Sequence, residues 1–256
     1  MVVIICLIAL LASLLTFFSG FGLGTILTPV FAVFFPVEIA ISLTAVVHLL
    51  NNVFKMALVG FTKEWGIILR FGIPSMIASF FGAWVLKNLS DTQTICQYHL
   101  GTLTVTTTPI KICIALLIVI FTLFEVIPRL QKIQFDKSHL SLGGFISGFF
   151  GGLSGNQGAL RSMFLIRAGL NKESFIATGI FIACMVDMAR LPVYSSKYFN
   201  ASVWENKWLI VSATLSAFAG AYLGSHFLEK VTFRFLQYAV TTMLLLLALL
   251  LGSGII

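Results

Sequence analysis

Four ionisable side chains stand inside runs of sequence that are otherwise apolar: Lys55, Arg161, Asp187 and Arg190. Each costs roughly 2.5–3.5 kcal/mol at a bilayer centre on insertion scales, so each needs a reason to be there. Three are cations, which attract anions. Asp187 and Arg190 are three apart, so they share a helix face and can pair. Asp187 then either holds Arg190 in place or carries a proton; a purely structural ion pair is the competing reading. Lys55 and Arg190 lie near segment ends, where snorkelling to the interface is the alternative. Arg161 can face a site or flank it. His48, Asn51 and Asn52 lie within about one turn of each other, a polar stripe that faces protein or a water path. A histidine can exchange a proton under physiological conditions, so His48 joins Asp187 as a candidate proton carrier. The alternative for His48 is an interhelical hydrogen bond.

A glycine-rich, polar interruption accompanies these charges, and it occurs twice, about 134 residues apart. The first is Ser19-Gly20-Phe21-Gly22-Leu23-Gly24-Thr25, and the second is Gly151-Gly152-Leu153-Ser154-Gly155-Asn156-Gln157-Gly158. Lipid cannot satisfy the backbone groups that such a break frees, so it must be buried in protein or line a cavity. Paired breaks at matching positions of two halves are a pointer to a transporter's binding site. A new helix starts after each, near Thr25 and near Ala159. Its first N–H groups and partial positive charge form a ready anion site. Ser19, Thr25, Ser154, Asn156 and Gln157 add neutral donors, and Gly20, Gly22, Gly24, Gly155 and Gly158 open the backbone to a substrate. With His48, Asn52, Lys55, Arg161 and Arg190, these residues make up the expected substrate site. Close packing of helices is the other use of such glycines. The spacing Gly20-x-Gly22-x-Gly24 is no nucleotide fingerprint, because no strand precedes it.

The elements that position these groups follow from composition. The chain has 256 residues, is 59% hydrophobic and only 10% charged, and has a mean hydropathy of +1.03. That predicts an all-α polytopic membrane protein. Apolar runs fall at about 2–18, 20–35, 38–60, 65–87, 110–128, 140–150, 153–168, 172–195, 206–228 and 232–254, giving about 8–10 membrane segments. Several are short, since 16 helical residues reach about 24 Å against a core of roughly 30 Å. The run Val2–Phe18 lacks a basic start and a cleavage motif, and reads as retained. The net charge of +7 serves orientation and not nucleic-acid binding, because the basic residues lie between apolar runs. Cys6, Cys96, Cys113 and Cys184 contain no paired spacing, so neither a disulfide framework nor a metal site is expected. No cofactor motif and no catalytic set is present, which argues against an enzyme.

The two halves match beyond the breaks. Asn52-x-x-Lys55 lies 135 positions before Asp187-x-x-Arg190, and Phe81-Gly82-Ala83-Trp84 resembles Ala219-Gly220-Ala221-Tyr222. The expected organisation is a first repeat over 1–128, a connecting loop at 129–139 and a second repeat over 140–256. If each broken pair is a hairpin, the repeats are inverted and Lys and Arg favour one side by about two to one, as the positive-inside rule expects. Smooth kinks would give parallel repeats and an even split. The inverted arrangement, with both termini outside, is therefore the expectation. The longest polar stretch, Asn88–Pro109, reads as a solvated loop, with a lid over the pathway as the alternative.

Taken together, the two glycine breaks, Pro29 after the first, Ala168-Gly169-Leu170 and Ile176-Ala177-Thr178 resemble the sulfite exporter TauE/SafE family of membrane permeases. The resemblance covers nearly the whole chain. It implies a transporter of sulfite, sulfoacetate or related sulfur-containing anions in a cell (inner) membrane. The chain departs from the family pattern by lacking a tight triple glycine in its first half and by carrying Lys55, Asp187 and Arg190. The expected function is secondary transport of a small anion by alternating access. A passive anion channel or facilitator is the alternative, and an intramembrane enzyme a more distant one. The partners expected are the anion and the lipid bilayer, not nucleic acid; a homodimer is one open arrangement.

Overall fold

The computed structural model describes residues 1–17, 22–61, 64–90, 94–100, 103–131, 133–197, 204–227 and 233–255. Ser19 and Gly20, two of the expected site residues, lie outside these. The apolar runs are helices: α1 (Val2–Leu15), α2 (Leu23–Ala32), α3 (Val37–Val59), α4 (Trp65–Leu89), α5 (Pro109–Val126), α6 (Leu140–Ser154), α7 (Gly158–Leu165), α8 (Lys172–Tyr194), α9 (Lys207–Phe227) and α10 (Phe233–Ser253). Four stretches are long and apolar enough to cross a membrane: Val37–Val59, Trp65–Leu89, Lys172–Lys197 and Lys207–His226. Local chemistry sets their ends. Pro36 precedes α3, and Gly60, at φ +86°, stops it. Asn171 caps α8 by accepting the Ser174 N–H at 2.7 Å. Within α4 a π-helical turn, Ile68–Gly72, leads into Pro74. Pro29 and Pro192 lie inside the last turns of α2 and α8, so they do not end those helices.

The second break is a hairpin. Helix α6 has 15 residues and α7 has 8, so the arms reach about 22 and 12 Å. Gly155 ends α6 in the left-handed region at φ +80°, where glycine carries no Cβ penalty. The chain then doubles back. The Ser147 hydroxyl donates to the Gln157 carbonyl at 3.2 Å, and the Phe135 N–H to the Met163 carbonyl at 3.3 Å. At the far end of α7 the Phe164 ring lies where a Cβ on Gly143 of α6 would stand.

The helices pack closely in pairs. α1 packs on α9 and α6 on α4; α3 packs on α9 and α8 on α4; α3 packs on α8 and α5 on α10. Glycines set the closest approaches. A methyl group on Gly82 of α4 would run into the Phe149 carbonyl of α6, and one on Gly220 of α9 into the Leu10 carbonyl of α1. Small residues at these crossings let backbones touch without lipid between them. Helices α3 and α8 each have 23 residues, and their first residues, Val37 and Lys172, are 135 positions apart.

The polar stretch Asn88–Pro109 is more ordered than the solvated loop expected. It holds an antiparallel hairpin of β1 (Cys96–Leu100) and β2 (Leu103–Thr107), in which Cys96 pairs with Thr107 and Tyr98 with Val105. The β-branched run Val105-Thr106-Thr107 favours a strand. The hairpin closes the end of α10. Tyr98 donates its hydroxyl to the Ser253 carbonyl at 2.7 Å, and Thr107 donates to the same oxygen at 3.2 Å.

Candidate functional site

The two glycine breaks meet. A Cβ on Gly24, in the first turn of α2, would stand 3.1 Å from the Gly155 carbonyl oxygen. One on Gly22, the residue that precedes α2, would stand 3.1 Å from His48 Nε2. Glycine at these positions therefore lets the start of α2 sit against both the α6–α7 turn and the polar stripe of α3.

The cluster around the breaks is buried and ionic. Asp187 and Arg190 are both fully buried. Arg190 donates from Nε to Asp187 Oδ1 at 2.9 Å, and its Nη2 lies 2.7 Å from the same oxygen. The other carboxylate oxygen, Oδ2, lies 2.6 Å from His48 Nδ1. With the proton of that bond on Nδ1, Nε2 is left to accept from the Asn52 amide, 3.3 Å away. Arg190 Nη1 also donates to the Gly151 carbonyl at 2.8 Å, and Tyr194 donates its hydroxyl to the Gly152 carbonyl. The Gly151 carbonyl also accepts the Gly155 N–H at 3.1 Å, so Arg190 is its second donor, while Tyr194 serves a carbonyl in the last turn of α6.

A small cavity of about 30 Å³ lies beside this cluster. Its polar lining comes from His48, Asn52, Lys55, Arg161, Ser162 and Thr16, and Gly22 and Gly179 shape its walls. Lys55 and Arg161 are buried despite their charge, at 4% and 6% exposure. Lys55 is thus not a snorkelling residue. Its ammonium sits 5.5 Å from the centroid of the Phe17 ring, a cation–π distance. Gly179 of α8 packs beside the Arg161 guanidinium, whose Nε lies 3.5 Å from where a glycine Cβ would be.

The structure divides the expected site residues into groups. Gly22, His48, Asn52, Lys55 and Arg161 line the cavity. Thr25, Asn156 and Gly158 line a second, narrower cleft at the start of α7. Ser154 is committed to the turn: it donates to the Phe150 carbonyl at 2.9 Å and accepts the Asn156 N–H at 3.3 Å. Gln157 precedes α7; its side-chain amide is buried and has no hydrogen-bond partner among the described residues, nor has Asn156 Oδ1. Arg190 is engaged by Asp187 and Gly151 and does not line the cavity. Tyr194, Thr16 and Gly179 escaped the sequence reading. Tyr194 carried a signal, since it stands one turn after Arg190 on the same face of α8. Among the described residues no cluster of His, Cys, Asp or Glu could hold a metal ion.

A multi-pass helical bundle whose broken helices meet at buried polar groups is the construction of a membrane transporter. The chain belongs to the sulfite exporter TauE/SafE family, whose model matches residues 5–251. Comparison with curated proteins and with solved structures returns no match.

Proposed function

We propose that the protein is a secondary transporter of small sulfur-containing anions, sulfur oxyanions or organosulfonates such as sulfite or sulfoacetate. The observation that carries this is the placement of Lys55 and Arg161, with His48 and Asn52, around one buried cavity at the start of α2. Buried cations at the end of a broken helix suit an anion by charge and by the helix dipole. The buried Gln157 amide and Asn156 oxygen, which have no hydrogen-bond partner among the described residues, support a polar guest at the neighbouring helix start.

The mechanism proposed is alternating access between two inverted repeats, 1–128 and 140–256, joined by 129–139. The close packing of α1–α5 against α6–α10 and the hairpin at the second break support it. Both termini would lie outside a cell (inner) membrane. His48 and Asp187 are the proton-coupling pair, because they share one short hydrogen bond beside the cavity.

The test is sulfite efflux from proteoliposomes, with Lys55→Gln and Arg161→Gln variants and a pH gradient as the driving force. Saturable flux that falls in either variant supports the assignment. Normal flux in both would remove these residues from the site. Flux that ignores pH would remove the proton coupling. Flux that never saturates, with large single-channel conductance, would replace the transporter by an anion channel.

A further inference from the structure

The ends of five helices meet at a second cavity, of about 350 Å³. Phe34 follows α2, Glu38 stands in the first turn of α3 and Ser90 follows α4; Lys111 stands in the first turn of α5 and Leu251 in the last turn of α10. This cavity shares no lining residue with the one around Lys55 and Arg161. Its volume falls in the range of small-molecule sites, roughly 300–1,000 Å³. The ends of spanning helices lie near the level of the lipid headgroups, so a cavity ringed by helix ends sits at the membrane surface.

Two opposite charges line it. The Glu38 carboxylate attracts the Lys111 ammonium, yet among the described residues they form no contact ion pair. Both side chains are only partly buried. The β1–β2 hairpin positions Lys111, whose ammonium donates to the Thr106 carbonyl at 2.8 Å and keeps further N–H groups for another acceptor. A cation in the first turn opposes the helix dipole, so the stability of α5 does not explain Lys111. Beside the charges, Val33 and Phe34 of the same lining are 53% and 37% exposed. We infer that this cavity holds the headgroup of a zwitterionic phospholipid. Its ammonium lies on Glu38, its phosphodiester on Lys111 and the start of its acyl chains over Val33 and Phe34. An anionic lipid would set its phosphate against Glu38 with no cation of its own to offset the repulsion. A small soluble zwitterion would leave the apolar rim without a use. The inference is independent of the proposed anion site.

Native mass spectrometry of the purified full chain in detergent tests the inference. The probes are phosphatidylethanolamine, phosphatidylglycerol with the same acyl chains, and the water-soluble glycerophosphoethanolamine. The ethanolamine lipid should bind about fivefold or more tightly than the glycerol lipid, since its ammonium meets Glu38. The soluble headgroup should not compete with it. Glu38→Gln should bring the ethanolamine lipid down to the level of the glycerol lipid, and Lys111→Gln should weaken both. The wild-type comparison of the three probes decides the matter if a variant does not fold. Phosphatidylglycerol binding as tightly as phosphatidylethanolamine overturns the zwitterion selection. Glycerophosphoethanolamine binding as tightly as the lipid makes this a site for a small soluble molecule and overturns the lipid. Binding unchanged in both folded variants places the lipid elsewhere and overturns the site.

Discussion

His48 Nδ1 and Asp187 Oδ2 are 2.6 Å apart, although the residues are separated by 139 positions in the chain. This bond ties the middle of α3 to the middle of α8. It also connects the cavity, which His48 lines, to the α6–α7 hairpin, whose Gly151 carbonyl is held by Arg190. A chain of four groups thus runs from Asn52 through His48 and Asp187 to Arg190. Moving α3 against α8 stretches the His48–Asp187 bond, because the Asn52–His48 contact lies within α3 and the Asp187–Arg190 pair within α8.

Asp187→Asn should be the most destabilising conservative change in this cluster. It leaves the Arg190 guanidinium buried with neutral acceptors only, and breaking a buried pair from one side costs about 3–5 kcal/mol. Replacing both members, as Asp187→Asn with Arg190→Met, should recover part of the loss. Unfolding midpoints in detergent for the two singles and the double give the coupling directly. Additive losses would show that the pair is not coupled.

Gly82→Ala and Gly220→Ala should both destabilise, by about 1–3 kcal/mol each, because the added methyl group meets a carbonyl of the facing helix. Gly66→Ala, where nothing lies within 4 Å, is the control and should be neutral or slightly stabilising. Thermal unfolding of the three variants checks the contrast. Equal effects at all three would mean that the α4–α6 and α1–α9 crossings are looser than described.

Hydropathy and polar interruptions made the helices legible. Each of the ten apolar runs corresponds to a helix, because a bilayer leaves the backbone little else to form. Lys55, Arg161 and Asp187 stood out for the same reason. The Asp187–Arg190 pair was legible too, from its spacing of three, but the long-range partners were not. Nothing local to His48 says that it meets Asp187, and nothing local to Arg190 says that it also reaches the Gly151 carbonyl. The strands β1 and β2 were hidden in a polar stretch whose order comes from contact with Ser253, more than 140 positions from Thr107. Long-range pairing of this kind leaves no periodic trace in the sequence.

Tyr98→Phe should loosen that hairpin without unfolding the bundle. It removes one hydrogen bond to the Ser253 carbonyl, worth about 0.5–1.5 kcal/mol. The readout is amide hydrogen exchange, which should rise across Cys96–Leu100 and the last turn of α10 and stay unchanged in α3 and α8. Protection unchanged in β1 would show that strand pairing alone holds the hairpin.

Gly155→Ala tests the meeting point of the breaks. Gly155 has φ +80°, and a Cβ there would lie 3.3 Å from Thr28 Oγ1 and 3.5 Å from Arg190 Nη1. The left-handed backbone alone costs a residue with a side chain roughly 1–2 kcal/mol. Asparagine tolerates that backbone better than alanine, so Gly155→Asn relieves the conformational part of the penalty and keeps the crowding. If backbone strain dominates, Gly155→Asn should be more stable than Gly155→Ala. If contact with Thr28 and Arg190 dominates, the larger Asn should be worse. In both variants the α6–α7 turn is pushed from the start of α2, so sulfite flux should fall further than stability does. Flux that falls only in proportion to folded protein would mean that the contact between Gly24 and Gly155 is packing and not part of the pathway.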